Sequence, residues 1–197
     1  CTYTLLVDGT PAGTIALNVP GIHNIYNSLA AIALGYELHI PFDTIKKGLF
    51  TFGGTKRRFE KKDVLNGVTI VDDYAHHPDE IAATLASAQH YPHNNIWCVF
   101  QPHTYSRTKI LLDRFAASLS KADKVVLADI YASRETDTLG ISSKDLMNEI
   151  KKLGTECYYF PSFKEIEEFL QKNCVNDDLL ITMGAGDIYK VGEDLLK

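Results

Sequence analysis

The chain has 197 residues, of which 45% are hydrophobic and 23% charged, and its net charge is −5. This is the composition of a globular protein with one large domain, or one domain and part of another. The acidic balance and the scattered basic residues argue against a general nucleic-acid binder, which needs a basic face to neutralise phosphates.

The chain shows no apolar stretch near the roughly 20 residues of a membrane span, and no signal peptide is visible. The four cysteines form no CxxC pair, which is typical of free thiols in a reducing compartment. We therefore expect a cytoplasmic protein. Because the chain starts with Cys1 rather than methionine, we also expect it to be a fragment of a longer protein.

The first fifty residues predict a hairpin followed by two helices. Residues 3–7 and 14–19 are strand-like and flank a turn-rich segment. Apolar residues at helical spacing predict a helix that opens after Pro20-Gly21 and runs through residues 27–35, and a second helix over 42–49. Gly53 and Gly54 interrupt this pattern, so we place a boundary there and predict domains of residues 1–52 and 53–197.

The rest of the chain alternates strand-like and helix-like segments. Two strands around the Asn66-Gly67 turn are predicted at 58–62 and 67–71, and further strands at 96–100, 124–130, 157–160 and 179–183. Helices are predicted over 78–89, 107–118, 142–153, 163–172 and 187–196. Uninterrupted apolar strands separated by amphipathic helices indicate an α/β fold. We predict a Rossmann-like, doubly wound, mostly parallel sheet, preceded by the hairpin and helices left from another domain.

Four polar clusters follow strands of this predicted sheet. Because the carboxyl ends of parallel strands meet at one edge, where open α/β sheets bind their ligands, the clusters predict a functional site there. They are residues 72–77 (DDYAHH), 101–107 (QPHTYSR), 129–135 (DIYASRE) and 184–187 (GAGD).

Several side chains in these clusters have more than one interpretation. His76 and His77, with Asp73 and His103, are candidate metal ligands of a hydrolase, although adjacent histidines point in different directions and the spacing matches no known metal motif. His76 and His103 fit better as hydrogen-bonding groups for a polar ligand, beside Arg107 as a carboxylate clamp. The aspartates have a structural alternative, capping the turn that follows, and we expect it for Asp72 more than for Asp73.

The glycine turn at residues 184–187 is a candidate phosphate cradle, which would suit a nucleotide- or NAD-binding regulatory module. It is only a partial dinucleotide motif and follows the last strand instead of the first. The chain also contains no GxxxxGK[ST] phosphate loop. Both observations weaken this interpretation.

Five motifs in order resemble the Mur ligases, the ATP-dependent amide-forming enzymes of peptidoglycan precursor synthesis. They are residues 21–27 (GIHNIYN), 55–60 (TKRRFE), 72–78 (DDYAHHP), 100–108 (FQPHTYSRT) and 183–188 (MGAGDI). The fourth motif favours the branch that joins L-alanine to UDP-N-acetylmuramate. The third motif is shared with the branch that recycles the murein tripeptide, which stays an alternative. The resemblance implies that residues 1–52 end a central ATPase domain and that the remainder is a C-terminal Rossmann-like domain.

The resemblance also implies ligands and roles. ATP and magnesium, the latter held mainly by other parts of the enzyme, would activate UDP-N-acetylmuramate as an acyl phosphate that L-alanine attacks, and the fragment alone would be inactive. Thr104 stands where some relatives carry arginine, so Arg107 would take more of the clamp. The implied ATP-site residues are Asn24, Asn27, Arg58 and Asp73; the implied alanine-site residues are Tyr74, His76, His103 and Arg107; and Arg58, Asp73 and His76 are the implied catalytic residues.

Overall fold

A computed structural model describes all residues, 1–197, as two compact units, residues 1–55 and 56–197. The division lies next to the boundary expected at Gly53 and Gly54. In the first unit, β1 (Thr2–Val7) pairs antiparallel with β2 (Thr10–Ala16), and the helices α1 (Ile22–Glu37) and α2 (Phe42–Thr51) follow. A small apolar core holds the unit together through Leu5, Ile15, Leu17, Ile32 and Ile45.

The second unit is built on a six-stranded sheet with the order β3-β4-β8-β5-β6-β7. Its strands are β3 (Glu60–Leu65), β4 (Val68–Asp73), β5 (Ile96–Phe100), β6 (Lys124–Leu127), β7 (Glu156–Tyr159) and β8 (Leu179–Met183). Only β3 runs antiparallel, paired to β4 across the predicted turn, where Asn66 and Gly67 have φ of 50° and 82°. Both φ angles are positive, as the two-residue hairpin turn requires.

Helices cover both faces of this sheet. They are α3 (Pro78–Ala88), α4 (Tyr105–Ile110), α5 (Leu112–Leu119), α6 (Ser143–Lys152), α7 (Phe163–Asn173) and α8 (Tyr189–Leu195). Successive strand residues point to opposite faces, so Cys98 packs with α3, α5 and α6, whereas Trp97 packs with α7 and α8. The predicted α/β, doubly wound, mostly parallel fold is confirmed.

Several predicted elements have different bounds in the structure; the first two strands of the chain are shifted by a few residues, for example, with β2 at Thr10–Ala16 instead of 14–19. Three of the differences lie next to the polar clusters. The helix expected over 107–118 is divided at Leu111, whose φ is −107°, into α4 and α5. Strand β6 stops at Leu127, and Tyr131 instead donates its N–H to Pro102 O, which turns the chain toward β5. Helix α8 begins at Tyr189 because the Gly184–Asp187 segment is an extended turn. The apolar pattern runs through each of these points and so does not mark them.

The amino edge of the sheet is organised by Asp178, which directly precedes β8. Its buried carboxylate accepts hydrogen bonds from the N–H and side-chain amide of Asn95, the Trp97 indole and the Val175 N–H, at 2.9–3.1 Å. Burial opposes ionisation, yet these bonds hold the pKa of Asp178 below its ordinary value. Asp178 therefore joins the starts of β5 and β8.

The longest helix, α1, has 16 residues, and neither it nor any shorter helix has the length and apolar character that crossing a membrane requires.

Candidate functional site

The candidate site lies at the carboxyl edge of the six-stranded sheet. The strand β8 lies between β4 and β5, so the turn after β8 emerges between the loops that follow those two strands. Three of the four predicted polar clusters are therefore neighbours, and a bridge between His103 and Tyr131 joins the fourth to them. The prediction that they share one edge is confirmed.

Four rings form a continuous row along this edge. The Tyr74 and His76 centroids are 5.5 Å apart, and those of His76 and His103 are 6.0 Å apart. The His103 ring stacks on Tyr131 at 5.6 Å. Of the side chains predicted for the alanine site, the structure thus brings Tyr74, His76 and His103 together.

Polar atoms without internal partners concentrate after β5. Gln101 Oε1, His103 Nδ1 and Arg107 Nη1 are buried and make no hydrogen bond within the protein. Native proteins pair nearly all such atoms, because an unpaired buried polar group is unfavourable by about 1–3 kcal/mol. Three of them within seven residues indicate a segment whose polar groups are reserved for a ligand.

The charge state of His103 follows from its surroundings. Burial lowers the pKa of His103 below its ordinary value of 6.5, and the positive charge of Arg107 lowers it further. His103 is therefore neutral near pH 7. The neutral imidazole of His103 can donate a hydrogen bond to a ligand or accept one from it, while the neighbouring Arg107 guanidinium supplies the positive charge.

The segment that carries these groups, residues 101–107, is held in place by hydrogen bonds to the 129–135 cluster. Glu135 accepts hydrogen bonds from the N–H and hydroxyl of Ser106, and these bonds lower the pKa of Glu135. Thr104 has a φ of 67° and donates its N–H to Tyr131 O. Two residues of the 129–135 cluster therefore support this segment, Glu135 and Tyr131, and sequence reasoning assigned neither of them a role.

The two aspartates at the end of β4 have roles opposite to those expected. Asp73 caps the turn, since its carboxylate accepts hydrogen bonds from the Ala75 and Phe59 N–H groups, both at 2.8 Å. Asp72 instead forms an ion pair with Arg57 at 2.9 Å and accepts the Thr182 hydroxyl at 2.9 Å. Burial raises the pKa of both carboxyls. The capping role, for which Asp72 was favoured over Asp73, thus belongs to Asp73.

Arg57 is the residue that sequence reasoning missed. Its guanidinium also donates to Gly184 O at 2.7 Å and lies between the Tyr74 and Tyr189 rings, 4.8 Å from each centroid. The predicted ATP-site residue, Arg58, is exposed and makes no hydrogen bond or ion pair within the protein. Nothing in the run Lys56-Arg57-Arg58 distinguishes the two arginines by sequence.

The candidate metal ligands serve other purposes. His77 is the N-cap of α3 and accepts the Asp79 N–H, whereas His76 Nδ1 lies 3.1 Å from Tyr74 O. With the Asp73 carboxylate bound to backbone N–H groups, these side chains do not converge on one point. The chain has no group of three His, Cys, Asp or Glu side chains arranged to hold a metal ion.

The glycine turn after β8 is explained by close packing. A Cβ on Gly186 would lie 2.4 Å from Gln101 Oε1 and 3.0 Å from the Tyr131 ring, so a side chain there would displace Gln101 or Tyr131. The constraint is stricter at Gly184, which has a φ of 149° and where a Cβ would lie 2.9 Å from the backbone oxygen of Gln101. The carbonyl oxygens of Gly184 and Gly186 both face the Arg57 guanidinium. The turn therefore presents carbonyl oxygens to the positively charged Arg57 side chain, and this arrangement does not favour the interpretation as a phosphate cradle.

The two predicted ATP-site asparagines lie on α1 of the first unit. The side-chain amide of Asn24 donates to Pro20 O at 2.6 Å, and that of Asn27 donates to the Asn24 side chain at 3.3 Å. Asn27 is exposed and Asn24 is half-buried. The asparagines thus form one pair on the first turns of the helix.

Comparisons with known proteins identify the family of this chain. The family profile of the Mur ligase, glutamate ligase domain matches residues 57–186. The chain is 68% identical over 197 residues to a UDP-N-acetylmuramate–L-alanine ligase of Lachnospira eligens, and 58% identical over 196 residues to that of Agathobacter rectalis. Each match covers 100% of this chain and 43% of the relative, so the chain spans about two fifths of their length.

Solved structures give the same result. The crystal structure of UDP-N-acetylmuramate–alanine ligase from Thermotoga maritima superposes with a TM-score of 0.85 at 30% identity, covering 99% of this chain and 42% of that one. A murein peptide ligase from Psychrobacter arcticus shares the fold, with a TM-score of 0.66 at 24% identity over 93% of this chain and 38% of that one. The profile match covers more than half of the chain, so the chain belongs to the Mur ligase family.

Proposed function

We propose that this chain is part of an ATP-dependent ligase that joins L-alanine to UDP-N-acetylmuramate. The observation that carries the proposal is the 68% identity, over the whole chain, to a protein named for this activity. The unpaired polar atoms of His103 and Arg107 support it, because they offer neutral and cationic donors to a small zwitterion. Residues 1–52 would complete a central ATPase domain, and residues 53–197 would form the C-terminal domain.

The proposed reaction has two steps. A carboxylate oxygen of UDP-N-acetylmuramate attacks the γ-phosphorus of ATP, and ADP leaves. The α-ammonium group of L-alanine loses one proton, and the resulting amine attacks the acyl carbon to give a tetrahedral intermediate. This intermediate expels phosphate and gives up a second proton from nitrogen, to the phosphate or to water, which leaves the amide. The residues of this chain would bind and orient the amino acid and exclude water from the acyl phosphate.

We assign the alanine subsite to the row of rings and the loop after β5. Arg107 would bind the carboxylate of L-alanine, and His103 would donate or accept a hydrogen bond beside it. Tyr74 and His76 would bound the pocket and limit the size of the side chain. Selection of so small a substrate requires charge pairing together with a tight enclosure.

In the second unit we assign nucleotide contacts to Arg58 and Asp73, and in the first unit, considered by itself, we assign them to Asn24 and Asn27. Arg58 has the exposure and the free guanidinium that a phosphate contact needs. The Asp73 carboxylate is engaged by two backbone N–H groups, so we give it an indirect role through the loop it holds. Magnesium would accompany ATP and would be held mainly by other parts of the enzyme, because this chain has no group of three His, Cys, Asp or Glu side chains placed to bind it.

The test is a chimera in which this chain replaces the corresponding segment of the Lachnospira eligens relative. Phosphate release is measured with ATP, UDP-N-acetylmuramate and either L-alanine, glycine, L-serine or the murein tripeptide. We expect release that depends on UDP-N-acetylmuramate and is fastest with L-alanine. Release driven by the tripeptide alone would reassign the chain to recycling, and an inactive chimera beside an active parent would refute the proposal.

A further inference from the structure

The short segment that leads into β3 directs three consecutive side chains differently. Arg57 points into the sheet edge, Phe59 packs against the core beside Tyr91, and Arg58 between them is exposed. Arg57 and Phe59 have φ of 57° and 47°, a region that non-glycine residues rarely occupy. Such a backbone persists only where surrounding contacts enforce it.

The enforcing contacts come largely from β4. Tyr74 donates its N–H to Arg57 O at 2.8 Å, and Phe59 donates its N–H to the Asp73 carboxylate at 2.8 Å. The Arg57 N–H is bound by Glu60 within the same loop at 2.8 Å. The backbone is therefore fixed on both sides of Arg58, while Arg58 itself has no contact of this kind.

The Arg57 side chain extends this anchoring to the turn after β8. Its guanidinium reaches the Asp72 carboxylate with one nitrogen and Gly184 O with another. Stacking against Tyr74 and Tyr189 fixes the plane in which these donors point. One side chain thus links the loop before β3, the end of β4 and the glycine turn.

We propose that Arg57 is a positioning residue that acts through Arg58: by locking the strained loop onto β4 and the glycine turn, it leaves Arg58 pointing outward at the carboxyl edge for the phosphates of ATP. This inference rests on the proposed function, in which Arg58 meets the nucleotide. Arg57 is distinct from a ligand-binding arginine, because its donors are already engaged by Asp72 and Gly184.

Lysine is the informative replacement for Arg57. It keeps the positive charge next to the buried Asp72, so the fold is not left with an unpaired carboxylate. An ammonium lacks the planar fork, however, and cannot reach Asp72 and Gly184 while stacking between two rings. Arg57→Lys therefore removes the geometry and retains the charge.

The first test is a double-mutant cycle in the chimera, with Arg57→Lys, Arg58→Ala and the pair, and Lys56→Ala as the exposed control. We expect Arg57→Lys to raise the KM for ATP about tenfold and that for L-alanine less than twofold. If Arg57 acts through Arg58, the double variant is no worse than Arg58→Ala. The proposal would be overturned if the fold-changes of the two single variants multiplied in the double variant. It would also be overturned if Arg57→Lys raised the KM values for ATP and L-alanine equally.

The second test does not depend on activity. Amide NMR spectra of the 197-residue chain are compared with those of its Arg57→Lys variant. We expect the Tyr74 and Gly184 amides to shift, while the Trp97 indole signal at the opposite edge stays in place. Unchanged Tyr74 and Gly184 signals would refute the anchoring role. An inactive wild-type chimera would refute the proposed function, and these spectra would still decide whether Arg57 anchors the loop.

Discussion

The two edges of the parallel sheet treat polar groups in opposite ways. At the amino edge, the Asp178 carboxylate is buried and receives four hydrogen bonds. At the carboxyl edge, buried atoms of Gln101, His103 and Arg107 form no hydrogen bond within the protein. The first arrangement stabilises the fold, whereas the second sacrifices stability to keep donors and acceptors available. The contrast teaches that a group of neighbouring buried polar atoms without partners indicates a binding site, whereas a single such atom, like Ser120 Oγ after α5, does not.

The largest expected effect is at Arg107. In the chimera, Arg107→Met should raise the KM for L-alanine by about 30- to 100-fold, because a charge-assisted pair contributes about 2–3 kcal/mol. The KM for ATP should change less than twofold, and the thermal midpoint should not fall, since Arg107 has no internal partner to lose. Lys109→Met is the matched control. Unchanged alanine kinetics would remove Arg107 from the site.

The opposite edge should respond in stability instead of ligand use. Asp178→Asn should lower the free energy of unfolding by about 1.5–3 kcal/mol at pH 7, because hydrogen bonds to a charged acceptor are lost. The pKa of Asp178 is lower in the folded protein than its ordinary 3.8, so its contribution is present above that pH and disappears as the pH falls through the folded-state pKa.

The measurement for Asp178 is chemical denaturation followed by circular dichroism between pH 7 and pH 3. The difference from the unsubstituted chain should shrink at the acid end. Asp177→Asn is the control, because this exposed neighbour has a φ of 67° that asparagine tolerates. A pH-independent difference would mean that the Asp178 charge contributes nothing.

Asp73 sharpens the comparison because it lies at the carboxyl edge but is internally satisfied. Asp73→Asn replaces one acceptor oxygen by a donor that faces a backbone N–H, so it should cost about 1–2 kcal/mol of stability. It should also raise the KM for ATP several-fold more than that for L-alanine, through the loop next to Arg58. The reverse ranking in steady-state kinetics would mean that the two subsites are exchanged.

The smallest effect concerns the titration of His103. Arg107→Met should move the pKa of His103 upward toward 6.5, because the positive charge of Arg107 is removed, while burial and His76 continue to lower the pKa. The ring-proton NMR signal of His103 reports this shift, and Lys109→Met should leave it unchanged. An unchanged pKa of His103 in Arg107→Met would mean that the charge of Arg107 does not act on His103.

Local sequence signals determined much of this protein. The Asn66-Gly67 turn, the apolar strands and the order of helices and strands follow from short-range preferences, so the fold class was predictable. The gathering of polar clusters at one edge also follows, because parallel strands share the direction of their carboxyl ends. The family resemblance was also readable, because each of the five motifs is a short run of residues and their order along the chain is visible in the sequence.

The tertiary structure decided what periodicity does not encode. Asp72 and Asp73 are alike in sequence, but adjacent residues of β4 point to opposite faces, and only the neighbours on each face determine which one pairs with Arg57 and which one caps the turn. Likewise, Arg57 and Arg58 differ only through contacts with Asp72, Gly184 and Tyr74, which are distant in sequence. The insertion of β8 between β4 and β5 brings these groups together, and long-range strand pairing leaves no local signal.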